Sequence, residues 1–214
     1  MDVDAAEESD EDLMLAYAAG DASAFTRLYD RHERPVYRYF RRQGVAAHQA
    51  DDLLQETWMA VLRSAGRWTY EASFKTLLYL VAHRKLIDHW RATKQHILLD
   101  DAANDPDSES EPAIERYEAG DAARPDVRAM SRQQAEAFVV AVEALPPPQR
   151  QAFLLHVDGD LTLAQMAAVT GVGTETQKSR LRYAMKRVRL ACADWLEPRA
   201  SSGGHDLAGE RDAV

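Results

Sequence analysis

Between Leu161 and Ala191 the sequence LTLAQMAAVTGVGTETQKSRLRYAMKRVRLA starts a helix twice, and few folds accommodate two starts so close together. Thr162 with Gln165, and Thr174 with Gln177, each carry the capping-box spacing, in which a hydroxyl and an amide three residues on satisfy each other's backbone N–H. Thr170-Gly171-Val172-Gly173 stands between them as the breaker. On a helical wheel of about 100° per residue, Gln177, Leu181, Ala184, Met185 and Val188 share one side of the second helix. Glu175, Thr176, Ser179, Arg182, Tyr183 and Lys186 lie nearly opposite, with Lys178 and Arg180 on the flanks. One face is core and the other polar and cationic, which is the pattern of a helix-turn-helix whose second helix enters a DNA major groove. A basic helical hairpin gives the same pattern, so this stretch alone does not settle the function. Gln177 is polar on the core side, and it is expected to fold back onto Thr174.

The remainder of the chain agrees with an all-α fold. Strand-like alternation is nearly absent, Ala and Leu are plentiful, and apolar residues recur at intervals of three and four. The single Cys192 excludes an internal disulfide framework and a cysteine-based zinc site, so a reducing, cytoplasmic setting is expected. No apolar run reaches the length of a membrane span, and MDVDAAEESDEDL is acidic where a secretory leader would be basic and then apolar. The net charge of −9 argues against nucleic acid until it is divided along the chain. Residues 61–95 carry seven basic and two acidic groups, and residues 178–191 carry six basic and none acidic. Two cationic islands in an acidic chain suit contact with DNA at two separate places.

In chain order, residues 1–11 read as a disordered acidic tail and residues 12–95 as a helical domain. Short helices are expected over Asp12–Tyr17 and Ala22–Tyr29, broken at Gly20-Asp21, with a new helix beginning at Pro35. The stretch from Gln49 to Arg63 is amphipathic, and its polar face carries Asp51, Asp52, Gln55 and Glu56; a solvated face explains these residues as well as a binding surface does. A long helix from about Ala72 to Lys94 follows a loop at residues 64–71. Cations and aromatics interleave here: Arg67, Trp68, Tyr70, Lys75, Tyr79, Arg84 and Arg91, with Asp88 on the face of the last two. Cations track a phosphate backbone while aromatic faces stack on bases, as single-stranded nucleic acid requires. Phe74, Leu78 and Val81 are expected in the core, which leaves Trp68, Tyr70 and Tyr79 for stacking. Residues 96–131 lose periodicity and read as an acidic, flexible linker; residues 132–197 form a second small helical domain ending in the helix-turn-helix, and 198–214 a tail.

Taken together, these blocks resemble the sigma-70 family of bacterial RNA polymerase sigma factors, in its extracytoplasmic-function (ECF) group. LMLAYAAGDASAFTRLYDRHERPVYRYF looks like the family's first conserved block, and QADDLLQETWMAVL like the helix that grips the clamp of the polymerase's largest subunit. FKTLLYLVAHRKLIDHWR resembles the helix that reads and melts the downstream promoter element, and LPPPQRQAFLLHVDGDLTLAQMAAVTGVGTETQKSRLR the block that reads the upstream one. Leu77, Arg84, Gln49, Gln177 and Tyr183 depart from the residues usual at those places.

The resemblance implies a promoter-specificity subunit that binds core RNA polymerase, recognises the minus-35 and minus-10 elements and assists melting. Asp51, Asp52, Gln55 and Glu56 are then the polymerase contact; Arg67, Trp68, Tyr70, Lys75, Tyr79, Arg84, Asp88 and Arg91 meet the melted downstream element. Glu175, Thr176, Lys178, Ser179, Arg180, Arg182, Tyr183 and Lys186 meet the double-stranded upstream element. An acidic linker threading a basic channel of the polymerase, and an anti-sigma factor as a further partner, are implied by the family alone. The rival is a polymerase-independent helix-turn-helix regulator, for which the island at Trp68–Arg91 is superfluous. A metal hydrolase built from His83, Asp88 and His89 is poorly supported, because residues six apart align badly on a helix and no nucleophile accompanies them. No cofactor and no metal are expected.

Overall fold

The computed structural model describes residues 8–69, 73–101 and 132–193. Among them the chain is helical, with no strand. Helices α1 (Asp10–Ala18), α2 (Ala22–Arg42), α3 (Ala47–Ser64) and α4 (Phe74–Asp101) build the N-terminal unit, with a short 3-10 turn at Ala65–Arg67. Helices α5 (Arg132–Glu143), α6 (Pro147–Val157), α7 (Leu163–Thr170) and α8 (Thr174–Ala191) build the C-terminal one. Tyr70, residues 102–131 and the tail beyond 193 lie outside the described residues, so most of the expected linker does too.

The first helix begins inside the stretch expected as a tail. Ser9 caps it, its hydroxyl oxygen accepting from the Asp12 N–H at 3.1 Å. Four groups then pin it down. Glu8 pairs with Arg27, the Asp10 carboxylate meets Arg31 at 3.1 Å and His32 Nε2 at 2.7 Å, and Glu11 accepts from the Phe74 backbone N–H at 2.8 Å, capping α4. Burial alone would raise the Asp10 pKa, but the His32 hydrogen bond and charge, with those of Arg31, outweigh it and hold the group below the ordinary 3.8. The native state therefore favours the carboxylate, a contribution complete above the ordinary value and lost as pH falls through the lowered one. Comparing melts of the parent and Asp10→Asn, the difference should be about 1–3 kcal/mol near neutrality and shrink on acidification below the carboxylate range. A difference that does not depend on pH would refute the ion-pair account.

Pro35 does not start a helix but lies within α2. It withholds one N–H, and a proline in a helix interior costs about 3 kcal/mol. The buried stripe Ala24, Leu28, His32, Val36, Tyr39 and Phe40 runs across it unbroken, so burial of that face outweighs the local cost. Helix α4 runs seven residues beyond the expected end at Lys94, to Asp101. Neither Gly nor Pro stands between Gly66 and Pro106, so the sequence holds no strong stop signal there.

The N-terminal core is aromatic: Trp58 of α3 meets Phe25, Tyr29 and Phe74 at ring separations of 5.7, 5.2 and 6.4 Å. In the C-terminal unit Ala152, Leu154, Leu155, Leu161, Met166, Val169, Ala184 and Val188 pack together. The two units also touch, α7 lying against α4, and α5 and α6 against α2.

Candidate nucleic-acid interface

Thr162 starts α7 with a complete capping box: its backbone N–H donates to Gln165 Oε1 at 2.8 Å, and its hydroxyl accepts from the Gln165 N–H at 3.3 Å. Gly171 ends the helix at φ 70°, a left-handed conformation that glycine adopts without a steric penalty. The second capping box does not form. Helix α8 has Gly173 at its cap, and Gln177, only 1% exposed, points inward and donates from Nε2 to the Thr170 hydroxyl at 2.5 Å. That hydroxyl donates to Met166 O at 2.9 Å and accepts from the Val172 N–H at 3.3 Å, so Gln177 ties the recognition helix to the turn. Its target is Thr170, where Thr174 was expected.

The outward face of α8 is as the wheel places it. Glu175, Thr176, Lys178, Arg182, Tyr183 and Lys186 are exposed, and Ser179 and Arg180 half-buried. The Arg182 guanidinium lies 5.2 Å from the centre of the Tyr183 ring, and Lys178 reaches Glu175 at 3.8 Å. A cation stacked on a half-exposed aromatic is partly oriented before any ligand arrives.

On the other unit, Arg67, Arg84, Asp88 and Arg91 are exposed and Trp68 and Lys75 half-buried. Arg91 lies 3.6 Å from Asp88. Phe74 and Leu78 are buried as expected, and Val81 is half-buried. Tyr79 is not a free stacking platform in this conformation. It is 1% exposed, its ring crosses Tyr39 edge-on at 5.6 Å, and its hydroxyl donates to Asp158 O of the C-terminal unit at 3.0 Å. Burial, with the Asp158 charge behind it, pushes the phenol well above its ordinary pKa, which keeps it a donor. Periodicity gives no warning of this, since Asp158, which takes the hydroxyl, is 79 positions away.

On α3, Asp51, Asp52, Gln55 and Glu56 are all exposed, and Glu56 pairs with Lys85 of α4 at 2.7 Å. Asp52, Gln55 and Glu56 line a shallow open groove with Met59, Arg63 and Lys85. Met59, 48% exposed, is an apolar contact that sequence reasoning passed over. The groove brings the carboxylates of Asp52 and Glu56, the cations of Arg63 and Lys85 and the apolar Met59 together, a surface suited to another protein.

The structure also engages groups where the two units meet. Arg42 holds both Asp158 carboxylate oxygens, at 2.9 and 3.1 Å, and Arg38 approaches one at 3.5 Å. His83, its pKa lowered by burial, faces Gln151 Nε2 across 3.0 Å. Among the described residues no cluster of His, Cys, Asp and Glu is arranged to hold a metal, and no helix is long and apolar enough to cross a membrane.

Comparison with known proteins places the two units separately. The description of sigma-70 region 2 matches residues 28–96, and that of sigma-70 region 4 matches residues 135–188. The chain is 30% identical over 185 residues to the ECF RNA polymerase sigma factor SigM of Mycobacterium tuberculosis, a match spanning 86% of this chain and 84% of that protein. Among solved structures, CnrH in complex with the cytosolic domain of CnrY aligns with a TM-score of 0.58 at 18% identity, over 87% of this chain and 99% of that one. RpoE in complex with the anti-sigma factor NepR from Bartonella quintana aligns with a TM-score of 0.58 at 17% identity, over 79% and 96%. These two show a common fold.

Proposed function

Because the chain belongs to the ECF sigma factors of the sigma-70 family, promoter-specificity subunits of RNA polymerase, we propose that three of its surfaces divide that task among them. The α3 face of Asp51, Asp52, Gln55 and Glu56 binds the clamp of core polymerase. Arg67, Trp68, Tyr70, Lys75, Tyr79, Arg84, Asp88 and Arg91 meet the melted minus-10 element. Helix α8 enters the major groove of the minus-35 element through Glu175, Thr176, Lys178, Ser179, Arg180, Arg182, Tyr183 and Lys186. The work is binding alone, without bond chemistry, in the cytoplasm where the polymerase is. The helical unit from Asp10 to Asp101 and the one that begins at Arg132 act as separate modules joined by the acidic segment between them, and tying two weak DNA readers to one scaffold raises the effective concentration of each. An anti-sigma protein is a further partner, on the analogy of the RpoE–NepR pair.

The observation that carries this reading is the exposed polar face of α8 with Lys178, Arg182 and Lys186, set on a helix-turn-helix whose turn is fixed by Gln177 and Gly171. Run-off transcription sequencing, with the purified chain, bacterial core polymerase and fragmented genomic DNA, tests it; no promoter-dependent transcript would remove it. A finer result is expected for Arg182→Ala: weaker upstream-element binding, by about 1–3 kcal/mol, with relaxed preference at one base pair. A uniform loss over all sequences, with the salt slope lower by about one, would make Arg182 a phosphate contact instead.

A further inference from the structure

Helix α8 begins without a side-chain cap. Its capping residue is Gly173, Thr174, Glu175 and Thr176 are exposed, and the ion pair of Lys178 with Glu175 spans 3.8 Å at the surface. Gln177 is the first residue of the helix to reach the core. What it meets there is one hydroxyl. A threonine hydroxyl can donate once and accept twice, and that of Thr170 does all three. It donates to Met166 O of α7 at 2.9 Å, and it accepts from the Val172 N–H of the turn at 3.3 Å and from Gln177 Nε2 of α8 at 2.5 Å. The last turn of α7, the connecting turn and the first turn of α8 are thereby joined at one oxygen. Because the hydroxyl proton is committed to Met166 O, only the NH2 end of the amide can face it, which fixes the orientation of the Gln177 side chain.

The other end of that amide, Oε1, is buried with no hydrogen-bond partner among the described residues. An orphaned acceptor opposes folding, and a methionine, unbranched and of similar length and helix propensity, fills the same space without one. Stability therefore does not call for an amide at this position. Direction does. Apolar contact is non-directional, whereas a hydrogen bond to a hydroxyl with two other fixed partners holds α8 at one rotation and one register. The side chains that this first turn carries outward are Glu175, Thr176, Lys178 and Ser179, and a recognition helix reads base edges with its N-terminal residues.

We propose that Gln177, itself buried away from any DNA, is the positioning residue for readout of the upstream element, an inference that rests on the assignment of α8 to that element. Through Thr170 it sets the register of the first turn of α8, and with it the sharpness of base preference.

The test uses the full chain carrying Gln177→Met, Thr170→Ser, Thr170→Val or Gln177→Met with Thr170→Val. In the free protein, Gln177→Met should melt no lower than the parent. Its amides from Lys178 to Leu181 should nevertheless exchange hydrogen up to about tenfold faster, the ratio that corresponds to one hydrogen bond. Each variant is then combined with core polymerase and given a library of a promoter that the parent transcribes, randomised over the upstream element, and the transcripts are sequenced. Gln177→Met should flatten the preference at upstream base pairs by about threefold or more, while a companion library randomised over the downstream element gives the parent's preference. Thr170→Ser keeps the hydroxyl and should match the parent. In the Thr170→Val background, Gln177→Met should change nothing further. Parental exchange and preference in Gln177→Met overturn the proposal. So does a clearly lower melting temperature, which makes Gln177 a packing residue, and so does an effect that persists undiminished when Thr170 is valine. A parent that gives no promoter-dependent transcript counts against the sigma reading. The exchange data, taken without DNA or polymerase, still decide whether Gln177 holds the first turn.

Discussion

Replacing Trp58 by alanine is expected to lower the stability of the N-terminal unit by about 3–5 kcal/mol, the usual cost of truncating a buried large aromatic. The ring is 3% exposed and is the hub on which Phe25, Tyr29 and Phe74 converge from α2 and α4. No backbone shift on three helices closes a void of that shape. One term acts the other way. The buried indole N–H finds no acceptor among the described residues, so its removal relieves a polar group that is costly to bury. The lower half of the range is therefore expected. For a unit of this size each kcal/mol moves the melting temperature by about 4–8 °C, so calorimetry should record a drop of at least about 12 °C. Trp58→Phe keeps most of the ring contacts and drops the orphan N–H, and it should cost less than half as much. Equal losses for the two substitutions would mean that the ring contacts do not set the stability.

Reversing the charge at Asp52 should leave the fold intact and abolish binding to core polymerase. Asp52 is exposed on the face of α3 opposite the buried Leu53, Leu54, Thr57, Trp58 and Val61, and exposed substitutions ordinarily change stability by no more than about 0.5 kcal/mol. At an interface the same reversal sets like charges against each other, a penalty of several kcal/mol and so about a hundredfold or more in affinity. Co-purification on tagged core polymerase, beside a thermal melt of the free variant, separates the two effects. Unchanged co-purification of Asp52→Arg would remove the α3 face from the polymerase contact, and a large fall in melting temperature would show that Asp52 is structural. Glu56 is the less clean probe, because its pairing with Lys85 links α3 to α4.

Local pattern is most legible where a residue's neighbours in sequence are also its neighbours in space. The Thr162–Gln165 cap, the left-handed Gly171 and the sidedness of α8 all depend on groups within one or two helical turns. The same reasoning misplaced Pro35 and Gln177, where a packed face or a buried hydroxyl overrode the local rule. It also placed the start of α1 too late. Ser9 with Asp12 is a legible cap, but the partners that make the acidic stretch stay, Arg27, Arg31 and His32, lie about twenty residues on. Tyr79 shows the limit most sharply. Its place among cations on an amphipathic helix fits a stacking residue and a buried one equally, and the choice was made by Gly159, a residue with no side chain to advertise itself.

By itself, then, the sequence determined that the chain is helical, that its cations are gathered in two islands, and which face of α8 turns outward, because these follow from helical periodicity and charge, properties that need no partner segment. Only the tertiary structure decided which of the outward candidates are accessible and how the two units sit together. Arg42 and Asp158 are 116 residues apart, and a contact between distant helices depends on shape and on paired polar groups that no local period encodes.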